Sequence, residues 1–129
     1  MKRDMDFVRE LLLAIEANNG INGTSGWIFD TPEDLGISGR TPDELSYHLQ
    51  QLIDAGLVDG ESAGRMPIIS KLTWRGHEFL DTLREPETWD RTKSVARRAG
   101  GFGFDILMAI GRDLIEAKVK QLVGLSAGI

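Results

Sequence analysis

Arg91, Lys93, Arg97 and Arg98 lie within "RTKSVARR", a stretch that no acid interrupts. Clustered cations of this kind can neutralise phosphates, and phosphate contacts supply most of the affinity of a nucleic-acid complex. Helical spacing puts Arg91, Lys93 and Arg97 within one broad sector, and Arg98 follows Arg91 by seven residues. The same charges suit an acidic protein surface equally well. Tyr47, Gln50 and Gln51 form a second set: Gln can pair bidentately with adenine, and Tyr can touch a phosphate or a thymine methyl. Arg40 and Arg65 flank that set as single cations able to reach a groove edge. Yet residues 41–56 hold Asp43, Glu44 and Asp54 with no Lys or Arg, a charge of −3 that a phosphate-lined groove repels. One set of side chains therefore has two expected uses, contact with duplex DNA or contact with another protein.

Chemistry of the bond-making kind finds no footing. His48 and His77 lack ligand spacing such as His-x-x-x-His, so both are expected to be structural, partly buried residues, and no metal is expected. "GINGTSG" lacks the lysine of a phosphate-binding loop, and "GGFGF" follows a basic helical segment where a dinucleotide fingerprint needs a strand. There is no Gly-x-Ser-x-Gly elbow, and no pair of carboxylates stands out from the solvated acids. No enzyme activity, catalytic residue or cofactor is expected.

The elements that must position these side chains follow from periodicity. Val8, Leu11, Leu12 and Ile15 recur at i, i+3, i+4, i+7 and predict a helix over 4–18, stopped by "NNGING". "GWIFD" (26–30) predicts a strand, and "TPEDLG" (31–36) supplies about one helical turn. Thr41 as N-cap, Pro42 at the first helical position and Glu44 closing a capping box announce a helix buried through Leu45, Leu49, Leu52 and Ile53. Gly56 falls where a left-handed residue ends it. "LVDGE" and "IISKL" flank a loop with Gly60, Gly64 and Pro67 and predict a β-hairpin. Thr73 then caps a helix carrying Phe79, Leu80 and Leu83. Helix, strand, helix, hairpin, helix is the winged-helix order, with its usual second helix reduced. The expected fold is therefore α+β and mainly helical: a winged helix-turn-helix domain over 1–85 with a two-helix C-terminal extension over 86–129.

In that extension, residues 87–99 set Trp89, Val95 and Ala96 on one side. Residues 104–123 form an amphipathic helix whose face holds Phe104, Leu107, Met108, Leu114, Ile115, Val119 and Leu122. That face is too large to leave in water, so it either folds back or pairs. It marks the expected oligomerisation surface, and a homodimer is the expected state. Gly111, in mid-helix, permits close approach of a neighbour.

With 129 residues, 41% hydrophobic and 27% charged, the chain has the composition of an ordinary soluble protein. It contains no cysteine, which fits a reducing compartment, and the opening "MKRDMDFVRELLL", with acids among its apolar residues and without a small-residue cleavage site, is not expected to act as a signal peptide. No segment is apolar enough to span a membrane, so a cytoplasmic location is expected. The net charge of −5 is uneven: residues 1–85 hold 8 Lys+Arg against 15 Asp+Glu, and residues 86–129 hold 7 against 5. The part that would read DNA is thus the acidic part.

"MKRDMD", "YHLQQLIDAGLV", "LTWRGHEFLDTLR" and "TWDRTK" together resemble an uncharacterised family of small proteins from phages, prophages and bacterial mobile elements, over roughly residues 1–98. That resemblance implies a winged-helix fold and a mobile-element context, with no established activity. Leu72, Thr73 and Gly76 also resemble the Leu-Thr-x-x-Gly pattern that closes the wing in many winged-helix regulators. The expectation is a non-enzymatic binding module of the DNA-binding, transcription-regulator type. The alternative is a protein-interaction or assembly subunit on the same fold.

Overall fold

A computed structural model describes residues 1–62 and 64–127. The chain is mainly helical with one small antiparallel sheet, and its contacts divide it into two units, Met1–Leu80 and Asp81–Ile129. The division falls inside a helix that runs through both, while the sequence placed it at Pro86.

In the first unit, α1 (Met5–Ala17) is capped by Asp4, whose carboxylate accepts from the N–H groups of Asp6 and Phe7 at 3.0 and 3.2 Å. Its expected stripe is buried as a whole, with Phe7 added. A single 3-10 turn, Pro32–Leu35, then leads to α2 (Pro42–Asp54). Thr41 and Glu44 form the expected capping box, the Thr41 hydroxyl accepting from the Glu44 N–H and the Glu44 carboxylate from the Thr41 N–H, both at 3.1 Å. At the other end Gly56 takes φ 74°, and Leu57 N–H bonds back to the Leu52 carbonyl at 2.9 Å, which lets the chain leave the helix sharply. The buried face of α2 is Leu45, His48, Leu49 and Leu52, with Ile53 only half-buried.

β1 (Val58–Glu61) and β2 (Ile68–Leu72) pair antiparallel, with a register shift between Asp59 and Gly60. The strand expected over 26–30 is a single bridge: Trp27 and Ile69 exchange two backbone hydrogen bonds of 2.8 Å. Residues 28–30 do not continue it, because Phe29 turns into the core while Ile28 stays 54% exposed. α3 (Trp74–Leu83) follows directly from the hairpin. Leu11, Leu12, Leu45, Leu49, Ile69, Phe79 and Leu80 are among the fully buried core side chains of this unit. Burial of each such side chain stabilises by about 1.5–3 kcal/mol.

The second unit is a helical pair, α4 (Pro86–Ala99) and α5 (Phe104–Ala127). α4 buries Trp89, Thr92 and Ala96. These recur at i, i+3, i+7, which leaves Val95 off that face and 40% exposed, a departure from its expected place. α5 extends four residues past its expected end. Its apolar stripe is split: Leu107 and Met108 are buried, Phe104, Leu114 and Ile115 half-buried, and Val119 and Leu122 exposed. Gly111 packs where a side chain would meet Leu83 and Thr82.

Candidate interaction surface

α2 and the hairpin loop present the side chains that the sequence singled out, and the fold ties most of them down. Ser46 donates from its hydroxyl to the Arg65 carbonyl at 2.7 Å, and Gln50 bonds both Asp54 and the Ser62 hydroxyl. The hairpin loop therefore lies along one edge of the outward side of α2. Tyr47 and Gln51 are half-buried beside that edge. At the start of α2 an open pocket of about 360 Å³ is lined by Ile28, Pro42 and Met66, with Asp30 and Arg65 supplying its polar groups.

Each cation of this surface stands against a carboxylate. Arg40 Nη1 lies 2.7 Å from Asp4 and 3.3 Å from Glu44, with its guanidinium 4.6 Å over the Phe7 ring. Arg65 lies 3.4 Å from Asp43, and Lys71 lies 3.8 Å from Asp59. Arg65 and Asp43 are both more than three-quarters exposed, so their pair is weak. Arg40 is different: it is 22% exposed, and it joins the cap of α1 to the first turn of α2.

Charge at that joint follows its contacts. Burial works to raise the Asp4 carboxyl, but hydrogen bonds from Arg40 and from the Phe7 and Asp6 N–H groups outweigh it and hold Asp4 below its ordinary range. Glu44 is also lowered, first by the Thr41 N–H and then by Arg40, against a cost of burial. Burial lowers Arg40, and Asp4 and Glu44 more than reverse it. Two carboxyls lowered on folding bind fewer protons in the folded chain than in the unfolded one. Their contribution is thus complete above the ordinary carboxylate range and is lost as pH falls through and below it. Arg40→Ala is expected to cost about 1–2 kcal/mol at neutral pH, the scale of a solvent-screened ion pair plus a guanidinium over a ring. The gap between wild type and variant should close toward low pH in urea titrations. A gap that stays constant with pH would mean that Arg40 acts through packing alone.

His48 completes the joint from below. Its Nδ1 lies 2.8 Å from the Glu44 carbonyl oxygen, which can only accept, so Nδ1 carries the proton and Nε2 accepts from the Asp4 N–H at 2.9 Å. The ring meets Phe7 and Tyr47 edge-on at centroid distances of 4.9 and 5.2 Å. His77, expected to be partly buried, is exposed, with Nδ1 3.7 Å from Glu16. Among the described residues no group of three or more His, Cys, Asp or Glu side chains is placed to hold a metal ion. The Arg40–His48 joint was not assigned from the sequence, although "MKRDMD" and "YHL" mark both of its sides.

The basic segment lies in the second unit, and α4 divides its four cations between two sides, Arg91 with Arg98 and Lys93 with Arg97. Arg91 and Arg98 are exposed two turns apart on one side. Lys93 sits 5.4 Å over the Trp89 ring and 3.7 Å from Asp90, and Arg97 sits 5.6 Å over Phe102. The expected common sector for Arg91, Lys93 and Arg97 is therefore not formed. Between α4 and α5 runs a groove of about 340 Å³ where Glu85, Glu87 and Arg91 face Leu114, Lys118 and Gln121. Of the expected oligomerisation residues, Leu107 and Met108 belong to this unit's own core.

A family model described as "Hypothetical protein (DUF2513)" matches residues 2–102. The chain belongs to that family. The DUF2513 match covers the first unit from its second residue, includes α4 and stops just before α5. A protein of Haemophilus influenzae described as "Uncharacterized protein" is 34% identical over 121 residues, which covers 90% of this chain and 97% of that one. No solved structure matches the chain. Among the described residues no helix is long and apolar enough to cross a membrane.

Proposed function

We propose that this DUF2513 chain is a non-catalytic binding module on a winged-helix plan, and that its α2–hairpin surface engages a protein. The order α1, bridge, 3-10 turn, α2, hairpin, α3 supports the winged-helix reading, with the 3-10 turn in place of the usual second helix. One observation carries the choice of partner: the cations of the α2–hairpin surface, Arg40, Arg65 and Lys71, stand against carboxylates, and α2 itself has none. The unit around it holds 7 Lys+Arg against 13 Asp+Glu. A duplex would meet net negative charge and side chains already tied to the hairpin loop. The open pocket, with Ile28, Pro42 and Met66 inside, suits an apolar anchor from a protein partner. The resemblance to phage and prophage proteins adds a mobile-element setting, and accessory assembly is the role that fits both.

The test is capture from the native host with both protein and DNA recovered. A protein partner lost on Tyr47→Ala with Gln51→Ala is the expected result, with no retardation of duplex at low salt. Recovery of one DNA sequence would overturn the proposal. DNA regulation remains the second reading because Arg91 and Arg98 are exposed on one side of α4. On that reading log affinity falls with log salt by about 0.9 per phosphate contacted. Arg97→Glu with Arg98→Glu would then weaken binding uniformly across sequences.

A further inference from the structure

The pocket at the start of α2 is walled by three segments, each held in place. Ile28 lies between Trp27, which is bridged to β2, and Phe29, which is buried. Pro42 opens α2 behind the Thr41–Glu44 capping box. Met66 is 8% exposed and follows Arg65, whose carbonyl accepts from the Ser46 hydroxyl at 2.7 Å. Walls fixed beforehand cost a bound group little ordering entropy. At about 360 Å³ the pocket is at the small end of ligand sites, enough for one large apolar side chain. It is open on its outer side, so a free small molecule would keep much of its surface in water. A side chain carried on a partner's backbone would not.

Charge decides what accompanies that side chain. Asp30 lines the pocket, and among the described residues its carboxylate has no hydrogen bond or ion pair; only its N–H is bonded, to Asp34 at 3.1 Å. The segment "DTPED" (30–34) that leaves the pocket holds three acids and no base. Asp43 adds a fourth, and Arg65 is the cation among the lining residues, so four carboxylates stand against one guanidinium, a charge of −3. A helix N-terminus attracts anions, but that of α2 is already answered by Asp43 and Glu44 in its first turn, and Pro42 offers no N–H.

We infer that the pocket seats an apolar side chain of a basic peptide segment, with a lysine or arginine beside the anchor paired to Asp30, an assignment that rests on the protein-partner reading above. Opposite charge at the rim selects the partner and speeds its encounter, while the buried anchor supplies most of the affinity. One anchor and one exposed ion pair make a weak contact, about millimolar for a short peptide.

The test is nitrogen-15 correlation NMR of the full chain, titrated with three capped pentapeptides: acetyl-Gly-Lys-Leu-Lys-Gly-amide, acetyl-Gly-Glu-Leu-Glu-Gly-amide and acetyl-Gly-Lys-Gly-Lys-Gly-amide. The first is expected to shift the amides of Ile28, Asp30, Arg65 and Met66 with a dissociation constant of about 1 mM, and the other two to bind at least about tenfold more weakly. Asp30→Asn should weaken the first peptide about threefold, the scale of one exposed ion pair, with the rest of the spectrum unchanged because the carboxylate it replaces is unbonded. No shift by the lysine–leucine peptide, equal binding of the glutamate peptide, equal binding without the leucine, or an Asp30→Asn chain that binds as wild type does would each overturn the inference. Wild-type amides at these positions that shift with protein concentration alone would assign the pocket to a second copy and overturn it too. In capture from the host, a protein partner lost on Tyr47→Ala with Gln51→Ala but indifferent to Asp30→Asn would sink this assignment and leave the protein-partner reading standing. Recovery of one DNA sequence would sink both.

Discussion

Gly76→Ala is expected to destabilise the chain by about 3 kcal/mol, at the upper end for a single added methyl in a packed interior. A Cβ at this position would lie 2.2 Å from the Leu57 carbonyl oxygen. Such a clash is cheap when one side can retreat, and here neither can. The Leu57 oxygen is held by the Thr73 N–H at 3.1 Å. The Thr73 hydroxyl donates to the Gly56 carbonyl at 2.6 Å and accepts from the Gly76 N–H at 3.0 Å. The exit from α2 and the first turn of α3 are thus bonded to one another across the place a methyl would enter. Chemical denaturation should show a lower midpoint with an unchanged slope, since the unfolded chain is hardly altered. A loss of only about 1 kcal/mol, the cost of a missing cap, would show that α3 can back away from Leu57.

His48→Ala should cost a similar amount, about 3 kcal/mol, for a different reason. The ring is 1% exposed and packs between Phe7 and Tyr47, so truncation leaves a cavity. It also leaves the Asp4 N–H without its acceptor. Asp4 is at once the cap of α1 and the partner of Arg40, so the loss should loosen the whole N-terminal attachment. Hydrogen exchange is expected to rise across residues 5–11 more than across residues 49–54, whose core contacts are untouched. A uniform rise over both segments would mean that the chain opens only as a unit and that His48 has no local role.

Much of the framework was legible in residue order. The stripe of α1, the Thr41–Glu44 capping box, the left-handed Gly56 and the hairpin all rest on local rules, in which a side chain answers to neighbours within a few residues. The DUF2513 membership bears out the family resemblance, in the coarse sense of an uncharacterised family with an uncharacterised relative. Single-element errors were local as well. Apolarity alone points to Val95 for the buried side of α4, whereas the helical angles place 89, 92 and 96 together and bury Thr92 instead.

What the sequence by itself determined is the set of elements and the absence of familiar catalytic spacing. Only the tertiary structure decided what the charged residues do. Arg40 is 36 residues from Asp4, and His48 is 44 from it, so no local pattern could join them. Folding brings them within hydrogen-bond range and makes Arg40, one of the cations that looked available for phosphate, an internal tie between Asp4 and Glu44. The same holds for α5, whose stripe is continuous in sequence. It becomes partly core and partly surface because its neighbour α4 is shorter. Periodicity follows from one helix alone, while pairing and coverage depend on what the rest of the chain places beside it.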